Sequence, residues 1–455
     1  MSIKTRIKRL FPESLKRSFH IAAFELSALF HGNPQRSLKL VGVTGTSGKS
    51  TTCELIYNIL KDQGVNVGII STVGAKTKKR SIATGLHVTT PDPFDIPKYL
   101  AALKNDGADC VVLECSSHAL EQGRLGTLKF DYAVFTNITS DHLDWHKTWE
   151  NYARAKARLI NALVPSGALI LNTQDSRGTG FLTAYAEQKR PDVKIHLYER
   201  DHEKQITVTS SGLVFKYKGR SVHMPIIGEY NADNAIAAIK LSEVMGLPLD
   251  KSLQSLKTFE GLPGRMQIMT TSPFMVIVDF AHNADSLEKS LQTLRKLLVG
   301  SCRLITVFGS AGLRDREKRF TMGQVSGKLS DITIITAEDP RTESLSEINS
   351  AIIKGAKSSG GTLVSRFKNT SEYKAFNIDT NLPQKAVFSF DEARAQGRLD
   401  AVEFAITLAE PGDIVVTEGK GHEESLCFGT TEYFYTDQDA VEKALYLLAK
   451  EQEII

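Results

Sequence analysis

The chain has 455 residues and a net charge of +4, with 41% hydrophobic and 24% charged residues. This composition is typical of a globular protein, and the length suffices for roughly two to four domains. The net charge is too small to indicate a nucleic-acid-binding protein. The five cysteines form no CxxC pair, which argues against a structural zinc site and suits a reducing cytoplasm. No apolar run reaches the ~18–20 residues that a membrane-spanning helix needs.

The chain begins with a basic segment of helical pattern, which we predict to be an arm covering residues 1–37. Residues 1–40 hold eight Lys or Arg against two Glu, a local charge of 8 − 2 = +6. Cationic and apolar residues together favour an interfacial helix on a membrane surface. The apolar positions, such as Phe19, Ile21 and Leu26, spread around the helix in the sequence. Packing of the arm against the next domain is therefore the alternative hypothesis.

Residues 38–262 alternate short apolar runs with longer helical stretches, which is typical of a mostly parallel sheet covered by helices. Residues 190–228 interrupt this rhythm with shorter, more polar strands, and we expect them to form a small β-sheet appended to this central domain. The predicted strands cover residues 38–43, 67–70, 110–113 and 133–136, and the predicted helices include residues 50–62 and 94–105.

Glycine and proline in residues 260–265 interrupt both helix and strand, so we place a domain boundary there. Alternation of strand and helix resumes beyond it, which predicts a second α/β domain over residues 263–455. Its predicted strands cover residues 275–279, 303–309, 332–336 and 414–417.

The most specific motif is a glycine-containing loop that lies between the first predicted strand and a predicted helix. Phosphate-binding loops occur in this structural context. Its glycines let backbone N–H groups face the phosphates, and the helix N-terminus adds partial positive charge. Lys49 can reach the β- and γ-phosphates, and the Ser50 hydroxyl can bind Mg²⁺. The position six residues before Lys49 is Val43, where the common motif has glycine. The predicted nucleotide-binding loop comprises Gly45, Thr46, Ser47, Gly48, Lys49, Ser50 and Thr51.

Further sequence blocks follow the loop in a fixed order along residues 40–455. They are TTPDP at 89–93, ECSSHAL at 114–120, QGR at 122–124, TN at 136–137, DHLD at 141–144, AK at 155–156, NADN at 231–234, GRM at 264–266, DFAH at 279–282 and GKGHE at 419–423. With the shortened loop, this series resembles the Mur ligases, and most closely the MurE-type UDP-N-acetylmuramoyl-tripeptide synthetases.

The resemblance implies an α/β fold, with a P-loop central domain of mostly parallel sheet and a C-terminal Rossmann-like domain. It implies an ATP-dependent amide ligase that activates a carboxylate as an acyl phosphate, which an amine then attacks. Adding a diamino acid to a cell-wall muramoyl dipeptide is the reaction that we expect.

The resemblance also assigns roles to individual residues. Two Mg²⁺ ions would be held by Ser50, Glu114, His142 and Lys156, the lysine being carbamylated in the family. A lysine beside two cations has a lowered pKa, which favours the neutral amine that reacts with CO₂. From the residues alone, Glu114 could instead be a helix cap and Lys156 a helix-surface lysine. The implied catalytic set is Lys49, Glu114, His142, Lys156 and Arg265.

Several residues beyond the loop are implied to bind the nucleotide. Asn231 or Asn234 would contact the adenine, although amides at a helix start often serve only as caps. Asp279 would bind the ribose hydroxyls, with His282 in the same block. Arg265 would neutralise phosphate charge, its alternative being a surface position.

The second domain would select the incoming amino acid. Residues Glu338, Asp339, Pro340 and Arg341 stand where the family has D-N-P-R for diaminopimelate, and a guanidinium can bind a distal carboxylate in a forked geometry. Asp339 brings a charge in place of an amide, so lysine or another diamino acid stays open. The implied substrate-binding residues are Thr89, Thr90, Ser116, Gln122, Arg124, Arg314, Glu338, Asp339, Arg341, Gly419 and Glu423, with Glu423 on the ammonium and Arg314 on the carboxylate.

The donor is less defined than the acceptor. A uridine-nucleotide domain usually precedes the loop in MurE-type enzymes and does not fit into the about 40 residues here, so we expect the chain to lack it. The donor could be UDP-linked, lipid-linked or undecorated.

Two rival readings stay open: a MurT-like amidating subunit or other ligase of the superfamily, and a non-catalytic nucleotide-binding module tethered to a membrane or partner. We expect small-molecule and peptide substrates, no nucleic acid, and a cytoplasmic location, at the inner face of the membrane if the arm binds lipid.

Overall fold

The computed structural model describes residues 13–82, 89–139, 141–200, 206–377 and 382–453. Contacts divide the chain into two compact units. The first comprises Met1–Thr207, Leu213–Pro225 and Glu229–Phe259, and the second comprises Val208–Gly212, Ile226–Gly228 and Glu260–Ile455. The domain limits expected at residues 37 and 262 remain predictions. No helix in the described ranges is long and apolar enough to cross a bilayer.

The first unit is built on an eight-stranded sheet of order β4-β3-β2-β5-β1-β6-β7-β8. The neighbours in the order β2-β5-β1-β6-β7-β8 all pair in parallel. At the other edge, β3 pairs antiparallel with both β2 and β4. The strands are β1 (Lys39–Thr44), β2 (Val67–Ser71), β3 (Gly74–Lys76), β4 (Ser81–Ile82), β5 (Cys110–Glu114), β6 (Phe130–Phe135), β7 (Leu163–Asn172) and β8 (Lys194–Tyr198).

The central strands are nearly continuous apolar runs because helices cover both faces of the sheet. Every residue of β2 and β5 is buried. The helices of this unit are α1 (Glu13–Phe30), α2 (Lys49–Asp62), α3 (Asp95–Asn105), α4 (Ser117–Gln122), α5 (Leu143–His146), α6 (Trp149–Asn161), α7 (Ser176–Lys189), α8 (Tyr230–Val244) and α9 (Leu249–Lys257). The carboxyl ends of β1, β5 and β6 lie side by side, at the position where ligands bind in open α/β sheets.

The small appended sheet expected over residues 190–228 forms only in part. β8 instead extends the main sheet, because its residues pair in parallel with β7 and the Tyr198 hydroxyl donates to the Phe135 carbonyl at 3.2 Å. A separate three-stranded sheet of order β11-β10-β9 follows. Its strands are β9 (Thr207–Thr209), β10 (Gly212–Tyr217) and β11 (Arg220–Met224).

The described part of the N-terminal arm is helical, as expected. Helix α1 is followed by a 3₁₀ turn over Pro34–Ser37. One face of α1 packs on the first unit through the fully buried Phe24, Ser27 and Ala28.

The second unit is built on a seven-stranded sheet of order β12-β13-β18-β14-β15-β17-β16, parallel except for the edge strand β12. The strands are β12 (Gln267–Thr270), β13 (Met275–Val278), β14 (Leu304–Phe308), β15 (Ile332–Ile335), β16 (Thr362–Phe367), β17 (Ala386–Phe390) and β18 (Ile414–Thr417), and a hairpin follows of β19 (Ser425–Phe428) and β20 (Thr431–Phe434). The helices are α10 (Ala284–Arg295), α11 (Glu317–Leu329), α12 (Leu345–Ser358), α13 (Thr370–Lys374), α14 (Ala395–Leu408) and α15 (Asp437–Glu453).

Candidate active site

The phosphate loop between β1 and α2 is held in shape by the segment that follows β6. The Thr46 N–H donates to the Asn137 carbonyl at 2.8 Å, and the Ser47 N–H donates to the Asn137 side-chain oxygen at 3.0 Å. The Thr136 hydroxyl donates to the Ser47 carbonyl at 2.7 Å. These contacts within the protein fix the loop backbone, which lowers the entropy cost of ordering it around phosphates.

The turn into α2 requires glycine at position 48. Gly48 has φ +82°, and a Cβ there would overlap the side-chain oxygen of Asn234. Asn234 also accepts from the Thr52 hydroxyl at 3.3 Å and donates to Asn231 at 2.9 Å. Both asparagines are buried, and they pack against the loop from α8. Their assignment to the adenine remains a prediction, while their contacts give them a part in positioning the loop.

Two oxygens suited to a hard cation lie together at the start of α2. The Ser50 hydroxyl donates to Glu114 at 3.0 Å, and Glu114, at the end of β5, is buried. The other carboxylate oxygen accepts from the backbone N–H and the hydroxyl of Thr72, both at 2.9 Å. Glu114 is therefore a fixed carboxylate within the sheet and not a helix cap.

The chemistry of this pair fits Mg²⁺. In the described ranges, no group of three or more His, Cys, Asp or Glu side chains could hold a metal alone. Mg²⁺ commonly takes only one or two protein oxygens, with phosphate and water completing its shell. Ser50 and Glu114 would supply that protein share, next to the phosphate loop.

Lys156 is a buried lysine and not a helix-surface one. Its side chain on α6 is 1% exposed, its ammonium donates to the Gly45 carbonyl at 2.6 Å, and it lies 4.4 Å from the ring centre of Tyr152. Burial, with the Lys49 cation adding to it, lowers the pKa of Lys156 well below its usual value. The neutral amine is the form that can attack the carbon of CO₂.

His142 lies near the Tyr152 ring, which Lys156 also contacts, and is more exposed than Lys156. Its ring centre is 6.3 Å from that of Tyr152 and 5.0 Å from that of His118, and its side chain is 42% exposed. It has a left-handed backbone with φ +52°, which a non-glycine residue adopts only where the surroundings impose it. The site therefore includes His142 at its margin, and metal binding by it stays a prediction.

Of the residues expected to bind the donor, Thr90 contacts Glu114 directly and Ser116 contacts Thr90. The Thr90 hydroxyl donates to the Glu114 carbonyl at 2.9 Å and accepts from the Ser116 N–H at 2.9 Å. The Arg124 guanidinium donates to the Gln122 side chain at 2.8 Å. Thr89, half-buried, precedes this group.

A second group of expected residues lies in the second unit, at the end of β13. The Arg265 guanidinium stacks 4.2 Å from the ring centre of Phe280, and the Met266 N–H donates to Asp279 at 2.9 Å. Burial raises the pKa of Asp279, while Arg265 opposes that effect. The His282 ring centre is 4.8 Å from that of Phe280. Gly264 permits this arrangement, since its backbone nearly touches that of Gly421.

The expected acceptor residues Glu338, Asp339, Gly419 and Glu423 also come together in the second unit. The buried Lys420 ammonium donates to Asp339 at 3.0 Å and to Glu423 at 2.6 Å. The carboxylate of Asp339, unexpected from the family pattern, is thus paired with a cation of the protein that it shares with Glu423. Burial raises the pKa of Glu338 to about 7, and its Oε2 atom accepts no hydrogen bond from the described residues. This buried oxygen lies beside Gly419.

Arg341 shapes the same region through Gly312. Its guanidinium donates to the Gly312 carbonyl at 2.9 Å, which uses one of its five donors. The exposed Arg314 follows in the same loop as Gly312. The remaining donors of Arg341 suit a carboxylate.

The sequence interpretation missed Thr72 and Lys420. Thr72 directly follows β2, and a hydroxyl at a strand end was the available signal. Lys420 stood within a quoted block, but its pairing with Asp339 depends on β15 and β18 flanking β14.

Comparison with known proteins agrees with this geometry. Residues 43–242 match the family described as Mur ligase middle domain, and residues 264–421 match the one described as Mur ligase, glutamate ligase domain. A UDP-N-acetylmuramoyl-L-alanyl-D-glutamate--2,6-diaminopimelate ligase of Geobacter metallireducens is 33% identical over 442 residues, covering 93% of this chain and 81% of the relative. This chain belongs to the Mur ligase family. The expected ATP-dependent, ADP-forming amide ligase is thereby confirmed.

Another relative and two solved structures extend the comparison. A UDP-N-acetylmuramyl-tripeptide synthetase of Roseiflexus is 33% identical over 443 residues. The match covers 93% of this chain and 82% of that relative. A solved diaminopimelate ligase of the same name as the Geobacter protein is similar at a TM-score of 0.60 and 28% identity, over 94% of this chain and 83% of that one. The folylpolyglutamate synthase of Mycobacterium tuberculosis, at 17% identity and a TM-score of 0.67 over 88% and 92% of the chains, shows the fold alone.

Proposed function

We propose that this Mur ligase adds a diamino acid, with diaminopimelate as the first candidate, to a UDP-linked muramoyl dipeptide. The observation that carries the proposal is the convergence of Lys49, Ser50, Glu114 and Lys156 around one phosphate loop. The names of the relatives support the substrates. Its substrates are small molecules and peptides, and we place the enzyme in the cytoplasm.

The reaction has two steps. A carboxylate oxygen of the donor attacks the γ-phosphorus of ATP, which releases ADP and forms an acyl phosphate. The amine of the acceptor then attacks the acyl carbon, and phosphate leaves with that oxygen while the amine loses a proton. Such a reaction needs positioning and charge neutralisation more than covalent help.

The protein's own groups supply those needs. The loop N–H groups and Lys49 bind phosphate oxygens, while Thr90, Ser116 and Arg124 position the donor beside Glu114. Mg²⁺ at Ser50 and Glu114 would neutralise charge on the phosphates. The Lys156 amine would take up CO₂ with loss of a proton, and the resulting carbamate would provide a further anionic oxygen ligand for a second Mg²⁺.

The acceptor is tested by comparing amino acids in wild type and Arg341→Ala. We expect wild type to release ADP fastest with diaminopimelate. Arg341→Ala should lower kcat/KM for diaminopimelate roughly tenfold to a hundredfold, because a charge-assisted contact contributes ~1.5–3 kcal/mol. Its use of lysine should change little, and the exposed Arg177→Ala is the matched control. A wild type that prefers lysine would overturn diaminopimelate as the acceptor.

A further inference from the structure

The outer face of α1 is apolar and exposed from Leu15 to Phe30. At about 100° per residue, its large apolar side chains fall within an arc of about 100°, and the exposed Ala22 lies between them. The sequence alone had suggested a scattered pattern, because it mixed these residues with the buried ones. We call them the outer stripe: Leu15 (54% exposed), Phe19 (66%), Leu26 (53%), Leu29 (68%) and Phe30 (77%).

The opposite face of α1 fixes the helix on the first unit. The Phe24 ring is fully buried and packs so closely on Gly126 that a Cβ there would overlap it. The Ser27 hydroxyl donates to the Phe94 carbonyl at 2.6 Å. Phe94, itself 51% exposed, adds to the apolar surface beside the helix. The helix that carries the outer stripe is therefore packed firmly on the first unit.

The sequence that precedes α1 carries charge of one sign. Residues 1–12 contain Lys4, Arg6, Lys8 and Arg9 and no acidic residue, whereas α1 itself is balanced. An apolar helix face combined with a cationic segment is the pattern of helices that lie on anionic membrane surfaces.

We infer that the outer stripe binds an anionic lipid surface.

Helix α1 also contacts the segment expected to bind the donor. The His20 ring is hydrogen-bonded to the Gln122 carbonyl at 2.9 Å, and a Cβ on Gly123 would lie 2.8 Å from the Arg17 side chain. Membrane binding through α1 would therefore hold the Gln122–Arg124 segment close to the lipid surface. This consequence rests on the proposed function, whereas lipid binding itself does not.

The test is flotation of the full chain with vesicles at low salt. Wild type should float with phosphatidylcholine vesicles that contain phosphatidylglycerol and much less with pure phosphatidylcholine. The double variant Phe19→Glu/Phe30→Glu should lower the floating fraction at least about tenfold. Its matched control is Leu197→Glu/Val299→Glu, which adds the same charge at apolar positions that are 50% and 79% exposed outside the stripe, and it should float as wild type does.

Three results would overturn the inference. Wild type could stay with the soluble fraction beside anionic vesicles, or the stripe variant could float as well as the control. Alternatively, light scattering without vesicles could show a dimer that the stripe variant alone disrupts, which would assign the face to a second copy. The thermal midpoint of the stripe variant should match that of the control and verify its fold. Absence of ligase activity in a wild type that floats would reject the proposed function and leave the lipid inference standing.

Discussion

At the scale of single residues, Lys156 differs from an ordinary lysine in its burial and its lowered pKa. It is buried, bonded to the backbone of the phosphate loop and close to the Lys49 cation, so its neutral form is favoured. Lys156→Ala should lose turnover in an ADP-release assay because the proposed carbamate could no longer form. A short carboxylic acid that fills the space should restore part of the rate. Lys189→Ala, an exposed lysine on α7, should keep full activity, and full activity in Lys156→Ala would reject the carbamate.

Thr72 is predicted to set the affinity for Mg²⁺ through Glu114. Its hydroxyl and N–H both donate to one carboxylate oxygen, and Thr72→Val removes the hydroxyl while keeping the shape. A hydrogen bond to a charged group contributes ~1.5–3 kcal/mol. The Mg²⁺ concentration for half-maximal activity should therefore rise by roughly tenfold or more.

The control for Thr72 is Thr258→Val, at an exposed threonine whose hydroxyl bonds only to a nearby carbonyl among the described contacts. An unchanged Mg²⁺ requirement in Thr72→Val would show that Glu114 is positioned without it.

At the scale of elements, the pair Arg398–Asp437 joins α14 to α15 inside the second unit. The guanidinium donates to both carboxylate oxygens, at 2.8 and 2.7 Å, and also to the Ala337 and Glu418 carbonyls at 3.0 and 2.9 Å. Those carbonyls belong to the segments that carry Glu338 and Gly419. This ion pair therefore helps to position the backbone that carries the expected acceptor residues.

Asp437→Asn is expected to destabilise the second unit strongly. Both partners are 0% exposed, and breaking a buried pair leaves an uncompensated charge, at a cost of about 3–5 kcal/mol. Urea unfolding measures the change in the free energy of unfolding. Glu150→Gln, which breaks the exposed pair with Arg177, should cost less than ~1 kcal/mol. Equal effects of the two substitutions would contradict this account.

The sequence predicted those features whose residues are adjacent along the chain, and it did not predict contacts that depend on strand order. The strand of β1, the loop glycines and helix α2 follow one another directly, so they were predicted together. Glu114 could be predicted because it ends a strand. The Thr72 contact could not, since it requires β2 to lie beside β5, and strand order is not written in local pattern.

Helix α1 shows the same limit. Its helical period was predictable, but which apolar residues face the protein was not. Phe24 is buried only because Gly126 leaves room for its ring. The remaining apolar residues then form the outer stripe. Likewise β8 reads as a polar strand, and only its pairing with β7 assigns it to the main sheet.

At the scale of the whole molecule, each unit carries a different part of the proposed chemistry. The first unit holds the phosphate loop, Glu114, Lys156 and the expected donor residues. The second unit holds Asp279 and the acceptor residues around Lys420. We therefore expect the enzyme to couple ADP release to tripeptide formation only when donor and acceptor are both present.

Oxygen transfer tests this central claim most directly. The donor dipeptide, labelled with ¹⁸O in its reacting carboxylate, is incubated with ATP, Mg²⁺ and diaminopimelate, and the products are analysed by mass spectrometry. The account predicts equal amounts of ADP, tripeptide and phosphate, with ¹⁸O in the phosphate, because the carboxylate oxygen leaves with the phosphoryl group. Release of unlabelled phosphate, or of ADP without tripeptide when both substrates are present, would contradict it.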